Sequence, residues 1–218
     1  MMLEIVKEIS LNTRIAMSIE RLRVFEPEEG YYLAYSGGKD SVVLLELARR
    51  SGVKFDVHYN LTTVDPPELV RFIRRQEPNV IIDRPELTMW QLILSDRYLM
   101  PPMRMRRWCC EALKERGGEG RRVLTGVRWE ESRARRRRQV EDRISDHKIV
   151  INPIIDWLET DVWGFIRREG LPYCSLYDEG FRRLGCICCP MAHNRMRSDA
   201  ARWPRYAAAY IRTFVRAI

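Results

Sequence analysis

A short apolar run that ends in two glycines constrains the fold more than any other feature of this chain. The run YYLAY (31–35) has the composition of a buried strand, SGGKDS (36–41) follows it, and VVLLELARRSG (42–52) has the pattern of a helix that ends at Gly52. In a parallel α/β sheet, ligands bind where the carboxyl end of a strand leads into a helix. The free N–H groups and the dipole of that helix favour an anion. The segment 36–41 is therefore predicted to bind phosphate.

Each residue type in this loop suits a nucleotide phosphate. The glycines let the backbone approach closely, the lysine adds a positive charge, and the serine hydroxyls can donate hydrogen bonds. The aspartate can cap the helix or help to hold Mg²⁺. The loop differs from the G-x-x-x-x-G-K-[ST] pattern, and a plain glycine turn is the alternative. The predicted nucleotide-binding residues are Ser36, Gly37, Gly38, Lys39, Asp40 and Ser41.

Further strands and helices alternate along the chain. Strands are predicted at 53–61, 79–83, 122–127 and 148–154, and helices at 3–25, 66–76, 87–99, 158–169 and 204–217, with one more through Lys114. This alternation predicts an α/β fold with a single doubly wound, mainly parallel sheet and helices on both faces. The predicted organisation is an N-terminal helix (1–30), a nucleotide-binding domain with the cysteines (31–191) and a C-terminal helical extension (192–218).

The length and composition of the chain limit the kinds of protein that it can be. A chain of 218 residues suits one α/β domain. No apolar run reaches the length of a membrane span, and the N-terminus lacks a secretory h-region, so a cytoplasmic protein without membrane contact is expected. The N-terminal helix could also pack on a second subunit in a homodimer.

The net charge of +8 is unevenly distributed. Residues 102–143 carry 14 basic and 7 acidic side chains, and residues 179–218 carry 8 and 2. Arginine-rich surfaces attract polyanions, so a nucleic acid is a predicted partner. Solvated helix faces are the plainer explanation of such charge runs, and the excess of Arg over Lys could equally reflect a GC-rich genome or a hot habitat.

Five of the six cysteines lie in these two basic segments. Cys109 and Cys110 are adjacent, and Cys186, Cys188 and Cys189 follow later in the chain. In a cytoplasmic protein such clusters indicate a metal or catalysis rather than disulfides. Adjacent thiolates suit an iron–sulfur cubane better than a tetrahedral zinc ion. Nearby arginines would lower the thiol pKa values; buried thiols that cluster by chance are the alternative.

These motifs together resemble the phosphoadenosine phosphosulfate (PAPS) reductase family of the PP-loop ATP-pyrophosphatase superfamily. The resemblance runs in order through SGGKDS, the cysteine pair, TGVRWEESRAR (125–135), NPIIDWLETDVWGFI (152–166) and LPYCSLYDEGFRRLGCICCPM (171–191). It implies the PP-loop fold, also called adenine nucleotide alpha hydrolase-like. It also implies ATP or a PAPS-like adenine nucleotide as the ligand, with Mg²⁺ accompanying ATP.

The resemblance also implies roles for individual residues. A [4Fe-4S] cluster would be held by Cys109, Cys110, Cys186 and Cys189, with Cys188 as a possible substitute ligand. Phosphate or sulfate would be bound by Gly126, Arg128 and Arg133. Trp157 and Trp163 would belong to the core, and Asp156 would cap a helix.

One difference from the family changes which reaction the sequence predicts. Family reductases carry a C-terminal Glu-Cys-Gly-Leu-His tail whose cysteine attacks sulfur, and this sequence has no cysteine after Cys189. Relatives without the tail serve in DNA phosphorothioation, which implies a cluster-bearing ATP pyrophosphatase that adenylates an acceptor, nucleic acid being favoured, for sulfur transfer. Lys39, Asp40 and Arg128 would be catalytic, and a cysteine desulfurase or another thiol donor would supply sulfur.

Two other hypotheses stay open at this point. A sulfonucleotide reductase would convert PAPS or adenylyl sulfate to sulfite, using Cys174, Cys188 or a partner's thiol. A nucleotide sensor would bind the nucleotide and the cluster without turnover.

Overall fold

The computed structural model describes residues 9–95, 97–98 and 100–217, apart from the side chain of His193. The first residues of the predicted helix 3–25, and Leu99 at the end of the predicted helix 87–99, lie outside the described residues. Within them, the helices are α1 (Leu11–Val24), α2 (Lys39–Ser51), α3 (Pro67–Gln76), α4 (Met89–Leu94), α5 (Glu159–Arg168), α6 (Met196–Arg202) and α7 (Pro204–Ala217). A π-helical turn spans Cys110–Lys114.

Six strands form one sheet in the order β3-β2-β1-β4-β6-β5. The strands are β1 (Tyr31–Ala34), β2 (Phe55–Asn60), β3 (Ile81–Asp83), β4 (Arg122–Leu124), β5 (Glu141–Ser145) and β6 (Lys148–Ile151). All neighbours are parallel except β5, which runs antiparallel to β6. The predicted α/β class with a mainly parallel sheet is thus confirmed.

The strand order creates a switch point between β1 and β4. From β1 the chain moves outward through β2 to β3, and it then returns to place β4 on the other side of β1. The loops that leave β1 and β4 therefore meet at the carboxyl ends of the strands. In open α/β sheets, ligands bind at such a switch point.

Packing of α1 anchors the segment before α5. The indole of Trp157, which is fully buried, donates to the hydroxyl of Ser18 at 3.0 Å. Trp163 is only partly buried. The predicted capping role of Asp156 is wrong: its carboxylate pairs with Arg21 at 2.7 Å. The carboxylate at the start of α5 is instead Asp161, which accepts from the backbone N–H of Leu158.

Two further observations complete the fold. Helices α4 and α6 pack against α7, which covers the predicted stretch 204–217. Across the part of the chain that the structure describes, no helix is both long enough and apolar enough to cross a membrane.

Candidate functional site

The loops after β1 and β4 touch each other at the switch point. A Cβ atom on Gly126 would lie 3.0 Å from the backbone carbon of Asp40, so the close approach requires glycine. Gly37 has a positive φ of 69°, and a Cβ atom there would lie 2.6 Å from Ile73. Gly126 thus brings loop 36–41 and segment 125–128 together, and Gly37 lets the loop pack against α3.

Two buried cations lie at this contact. The Lys39 side chain is 3% exposed, and its Nζ lies 3.4 Å from Glu159 Oε1 and 3.8 Å from Asp40 Oδ2. The guanidinium of Arg128, also 3% exposed, donates to Asp40 Oδ1 at 2.6 Å and to Glu130 Oε2 at 2.9 Å. Cations held this way are costly to bury, and carboxylates offset that cost. A phosphate or sulfate could replace a carboxylate as their partner.

Tyr177, which the sequence analysis did not single out, contacts the first turn of α2. The backbone N–H of Lys39 donates to the phenol oxygen of Tyr177 at 2.9 Å. Lys39 Nζ also donates to the carbonyl of Arg182 at 3.2 Å. Tyr177 lies in the stretch SLYDEG (175–180), to which the sequence analysis assigned no site residue.

The other predicted phosphate ligands differ in placement. The Ser41 hydroxyl donates to the carbonyl of Gly38 at 2.8 Å, and the Ser36 hydroxyl donates to Ser41 Oγ at 3.3 Å. Both hydroxyls thus face into the loop. Arg133 lies on an exposed turn beyond the segment 125–128. The structure therefore brings together residues 36–41, Gly126 and Arg128.

Four of the cysteines line one small cavity. Cys109 directly precedes the π-helical turn and Cys110 begins it, and Cys186 and Cys189 come from the loop before α6. The remaining wall is mainly apolar and includes Leu113 and Tyr210. The convergence comes from tertiary packing, since the N–H of Ile187 donates to the carbonyl of Val64 beside β2.

Hydrogen bonds and burial shift the thiol pKa values of Cys109, Cys110 and Cys186 in different directions. The hydrogen bond from Cys109, and then that from Arg107 at 3.4 Å, lower the pKa of Cys110. The same Cys109–Cys110 hydrogen bond, followed by burial, raises the pKa of Cys109. Burial raises the pKa of Cys186 to about 11. Of the adjacent pair, Cys110 thus ionises more readily than Cys109.

The four side chains that converge on this cavity are all sulfur donors. Among the described residues, no group of three or more His, Cys, Asp or Glu side chains is arranged to bind one metal ion. Iron–sulfur clusters are held by cysteine thiolates, and the cavity between these four thiols measures about 20 Å³. Soft thiolates alone are also the donors that select iron–sulfur clusters.

Cys188 and Cys174 stand apart from these four. Cys188 has a positive φ of 51°, and its N–H donates to the buried carboxylate of Asp199 at 3.0 Å. It does not line the cavity. Cys174, which directly precedes the short helical turn Ser175–Tyr177, is buried in the hydrophobic core. A substitute ligand role for Cys188 would require this loop to rearrange.

Comparisons with known proteins agree with this architecture. A model of the phosphoadenosine phosphosulfate reductase domain matches residues 30–192. An uncharacterized protein of Methanocaldococcus jannaschii is 32% identical over 174 residues, which cover 74% of this chain and 41% of that relative. This chain thus spans about two fifths of the length of that relative.

A second relative and a solved structure are named for sulfonucleotide reduction. The adenosine 5'-phosphosulfate reductase of Allochromatium vinosum is 29% identical over 204 residues, covering 84% of this chain and 77% of the relative. The phosphoadenylyl-sulfate reductase of Candida auris, solved as a phosphate complex, has a TM-score of 0.58 at 20% identity, covering 82% of this chain and 96% of that one. The structural match supports the fold.

Proposed function

Because the chain belongs to the phosphoadenosine phosphosulfate reductase family, we propose that it reduces a sulfonucleotide, adenylyl sulfate or PAPS, to sulfite. The observation that carries this proposal is the pair of buried cations, Lys39 and Arg128, at the switch point between β1 and β4. Asp40 contacts both cations, Lys39 Nζ through Oδ2 at 3.8 Å and Arg128 Nε through Oδ1 at 2.6 Å. Both cations lie within residues 30–192, which match the phosphoadenosine phosphosulfate reductase domain.

The cations bind the anionic part of the substrate. The guanidinium of Arg128 offers planar, paired donors that suit phosphate and sulfate oxygens. Lys39 supplies a compact charge, and the free N–H groups at the start of α2 add the helix dipole. Gly37 and Gly126 let the backbone approach the anion. Together these groups orient the sulfonucleotide and stabilise negative charge on the leaving nucleotide.

The four cavity cysteines, Cys109, Cys110, Cys186 and Cys189, are proposed to hold a [4Fe-4S] cluster. When bound, the cluster would supply a polarising charge. The segment 174–189 joins the two sites, because Tyr177 contacts the loop 36–41 and Cys186 and Cys189 line the cavity. Arg195 braces this segment by donating to the carbonyl of Cys186 at 3.1 Å.

The proposed reaction takes two electrons from an external donor. The bond between sulfur and the bridging oxygen breaks, and the adenine nucleotide leaves with that oxygen. The two electrons convert the sulfate group to sulfite, and the donor is oxidised. The residues of this chain bind and orient the substrate and hold the cluster in this scheme.

An anaerobic assay tests the reaction. The purified protein is incubated with adenylyl sulfate, PAPS or ATP and with dithionite-reduced methyl viologen, and sulfite, AMP and pyrophosphate are measured. Sulfite that is formed by the wild type, lost in Lys39→Ala and kept in Lys54→Ala supports the proposal. Lys54 is an exposed lysine before β2. No sulfite from either sulfonucleotide would overturn it.

A second assay tests the cluster independently. Iron and acid-labile sulfide are measured in Cys186→Ser and in Cys188→Ser. Loss of both from the first variant only is expected, because Cys186 lines the cavity and Cys188 does not. An iron-free wild type, or equal retention in both variants, would contradict the assignment.

A second candidate function is adenylation by ATP with release of pyrophosphate. It is favoured by the carboxylates of Asp40 and Glu159 near Lys39, because carboxylates and phosphates together hold Mg²⁺. The acceptor would be a nucleic acid bound by exposed arginines of the turn 133–138, and a cysteine desulfurase would supply the sulfur. Pyrophosphate formation that needs Mg²⁺ and a nucleic acid, without sulfite, would favour this function. Binding without any product would favour a nucleotide sensor.

A further inference from the structure

The loop before α6 touches both the nucleotide site and the cavity of the four cysteines. We refer to residues 181–189 as the cysteine loop. Near its start, the carbonyl of Arg182 accepts a hydrogen bond from Lys39 Nζ at 3.2 Å. Near its end, Cys186 and Cys189 line the cavity. A change at Lys39 can therefore reach these thiols through one short segment of the chain.

An anion can bind to Lys39 without breaking this contact. A lysine ammonium has three N–H donors. Lys39 Nζ lies 3.4 Å from Glu159 Oε1, and the Glu159 side chain is 52% exposed. A phosphate or sulfate can therefore take the place of this carboxylate while the carboxylate turns into solvent. The bound anion then fixes the ammonium beside the Arg182 carbonyl, so the start of the cysteine loop should be held more firmly when the nucleotide site is filled.

A glycine interrupts the cysteine loop between the nucleotide site and the cavity. Gly185 directly precedes Cys186. Among the described residues, no atom beyond its chain neighbours lies within 4 Å of a Cβ placed on Gly185, so the backbone there is not confined by packing. Glycine also has more conformational freedom than any other residue. Without a brace, Gly185 would absorb a change at Arg182 before that change reached Cys186.

Arg195, directly before α6, spans this glycine. Its guanidinium donates to the carbonyl of Arg183 on one side of Gly185. It also donates to the carbonyl of Cys186 on the other side, at 3.1 Å. The same guanidinium lies over the ring of Phe181. Because a guanidinium is planar and its donors are fixed relative to one another, it holds both carbonyls in one geometry. The two halves of the cysteine loop are thus joined as one unit.

The anchor of Arg195 lies in the protein interior. Its Nε pairs with the carboxylate of Asp199 at 3.1 Å, and Asp199 is fully buried. The same carboxylate accepts a hydrogen bond of 3.0 Å from the N–H of Cys188. One buried carboxylate therefore supports both the brace across the glycine and the backbone that carries the cavity cysteines.

Resting on the proposed function, in which Lys39 binds the anionic part of the substrate, we propose that Arg195 is a positioning residue that couples the nucleotide site to the cavity thiols. A nucleotide at Lys39 fixes the start of the cysteine loop, and Arg195 carries this constraint past Gly185 to Cys186 and Cys189. The two thiols thereby become ordered when the substrate binds. No bond forms or breaks in this step.

Hydrogen–deuterium exchange of the full chain, read by peptide mass spectrometry, tests the coupling. The probe is AMP, and exchange is compared with and without it in the peptide that holds the N–H groups of Ile187 and Cys188. In the wild type, saturating AMP should slow this exchange about fivefold, at the lower end of couplings between sites. In Arg195→Lys the slowing should fall below about twofold, because an ammonium keeps the charge beside Asp199 but lacks the planar paired donors. Arg197→Lys, at an exposed position on α6, is the matched control and should behave as the wild type.

The ratio of the exchange rates without and with AMP separates coupling from a merely structural role. If Arg195 only stabilised the fold, both rates would rise in Arg195→Lys and their ratio would stay near five. Protection of the first turn of α2 by AMP shows in each variant that the nucleotide is bound. Gly185→Ala, added to Arg195→Lys, should restore part of the ratio, because alanine stiffens the chain at the point that Arg195 spans.

Three results would overturn the inference. They are AMP that does not bind the wild type, bound AMP that leaves the exchange of Ile187 and Cys188 unchanged in the wild type, and equal slowing in the wild type and Arg195→Lys. Exchange and sulfite formation are independent readouts. A chain that shows the coupling and forms no sulfite keeps the role of Arg195 and loses the proposed reduction, and a chain that forms sulfite without the coupling does the reverse.

Discussion

The phenol oxygen of Tyr177 accepts a hydrogen bond of 2.9 Å from the backbone N–H of Lys39. That N–H belongs to the first turn of α2, whose donors have no partner within the helix. The Lys39 ammonium also lies 5.6 Å from the centre of the Tyr177 ring. The phenol thus occupies a donor that a bound phosphate would use, so nucleotide binding has to exchange one contact for the other.

Removal of this phenol oxygen should strengthen nucleotide binding. In Tyr177→Phe the Lys39 N–H has no protein acceptor to give up, so the affinity for AMP is expected to rise about fivefold, equivalent to about 1 kcal/mol for one hydrogen bond. Calorimetric titration measures the change. Tyr173→Phe is the control, because the Tyr173 hydroxyl donates to the exposed Asp178 at 3.0 Å. Weaker binding in Tyr177→Phe would mean that the phenol contacts the ligand itself.

The two loop glycines should respond differently to alanine. Gly37 has a positive φ, and its Cβ would overlap Ile73 and Leu69, so Gly37→Ala should lower the free energy of unfolding by about 2 kcal/mol. Gly38 has a φ of −75°, and the nearest atoms to its Cβ are hydroxyl oxygens at 3.5 and 3.6 Å. Gly38→Ala should therefore change stability by less than about 1 kcal/mol. Denaturant unfolding of the two variants checks this, and equal losses would contradict it.

Local pattern was sufficient to predict the strand, the glycine loop and the helix around residue 39. The apolar run, the paired glycines and the helical spacing all lie within one short stretch, so each supports the others. Strand β5 could not be predicted in this way. Four of the five residues of β5 (Glu141–Ser145) are exposed, and the strand forms because β6 offers an antiparallel edge. Its pattern lacks the alternation that identifies a half-buried strand.

The site was predictable where its residues share a motif and not where tertiary packing supplies them. Lys39 and Asp40 belong to the loop, and Arg128 was identified through the resemblance. Tyr177 and Glu159 are distant from Lys39 in the sequence, and only the tertiary fold brings them into contact with it. Carboxylate and phenol partners of this kind stand at no fixed sequence distance from the lysine, so no motif predicts them. The ion pairing of Asp40, which was expected to cap the helix or hold Mg²⁺, also follows from this convergence.

Loss of Arg128 should destabilise the fold as well as weaken ligand binding. Arg128→Met leaves the carboxylates of Asp40 and Glu130 without their common cation, and removal of one partner of a buried pair costs about 3 kcal/mol. Arg128→Lys should recover part of the stability but little of the nucleotide affinity, because the ammonium lacks the planar paired donors.

Thermal unfolding and AMP titration of both Arg128 variants measure these effects. The matched control is Arg202→Met, which breaks a more exposed ion pair with Glu179 and should cost less than about 1 kcal/mol. If Arg128→Met were as stable as Arg202→Met, the pairing with Asp40 and Glu130 would not contribute to the fold.

Cys174 should not be the nucleophile of the proposed reduction. The residue is 1% exposed, and burial raises the pKa of its thiol. Because the thiolate is the attacking form, a raised pKa leaves less of it at neutral pH, and its reactivity should increase only as the pH rises above the ordinary thiol range. Iodoacetamide at pH 7 should therefore leave Cys174 unmodified in the folded protein and alkylate it after denaturation, as read by peptide mass spectrometry. Cys174→Ala should keep the rate of sulfite formation within about twofold, since no reacting group is removed. Rapid alkylation at pH 7 together with loss of sulfite formation in Cys174→Ala would instead identify this thiol as the nucleophile.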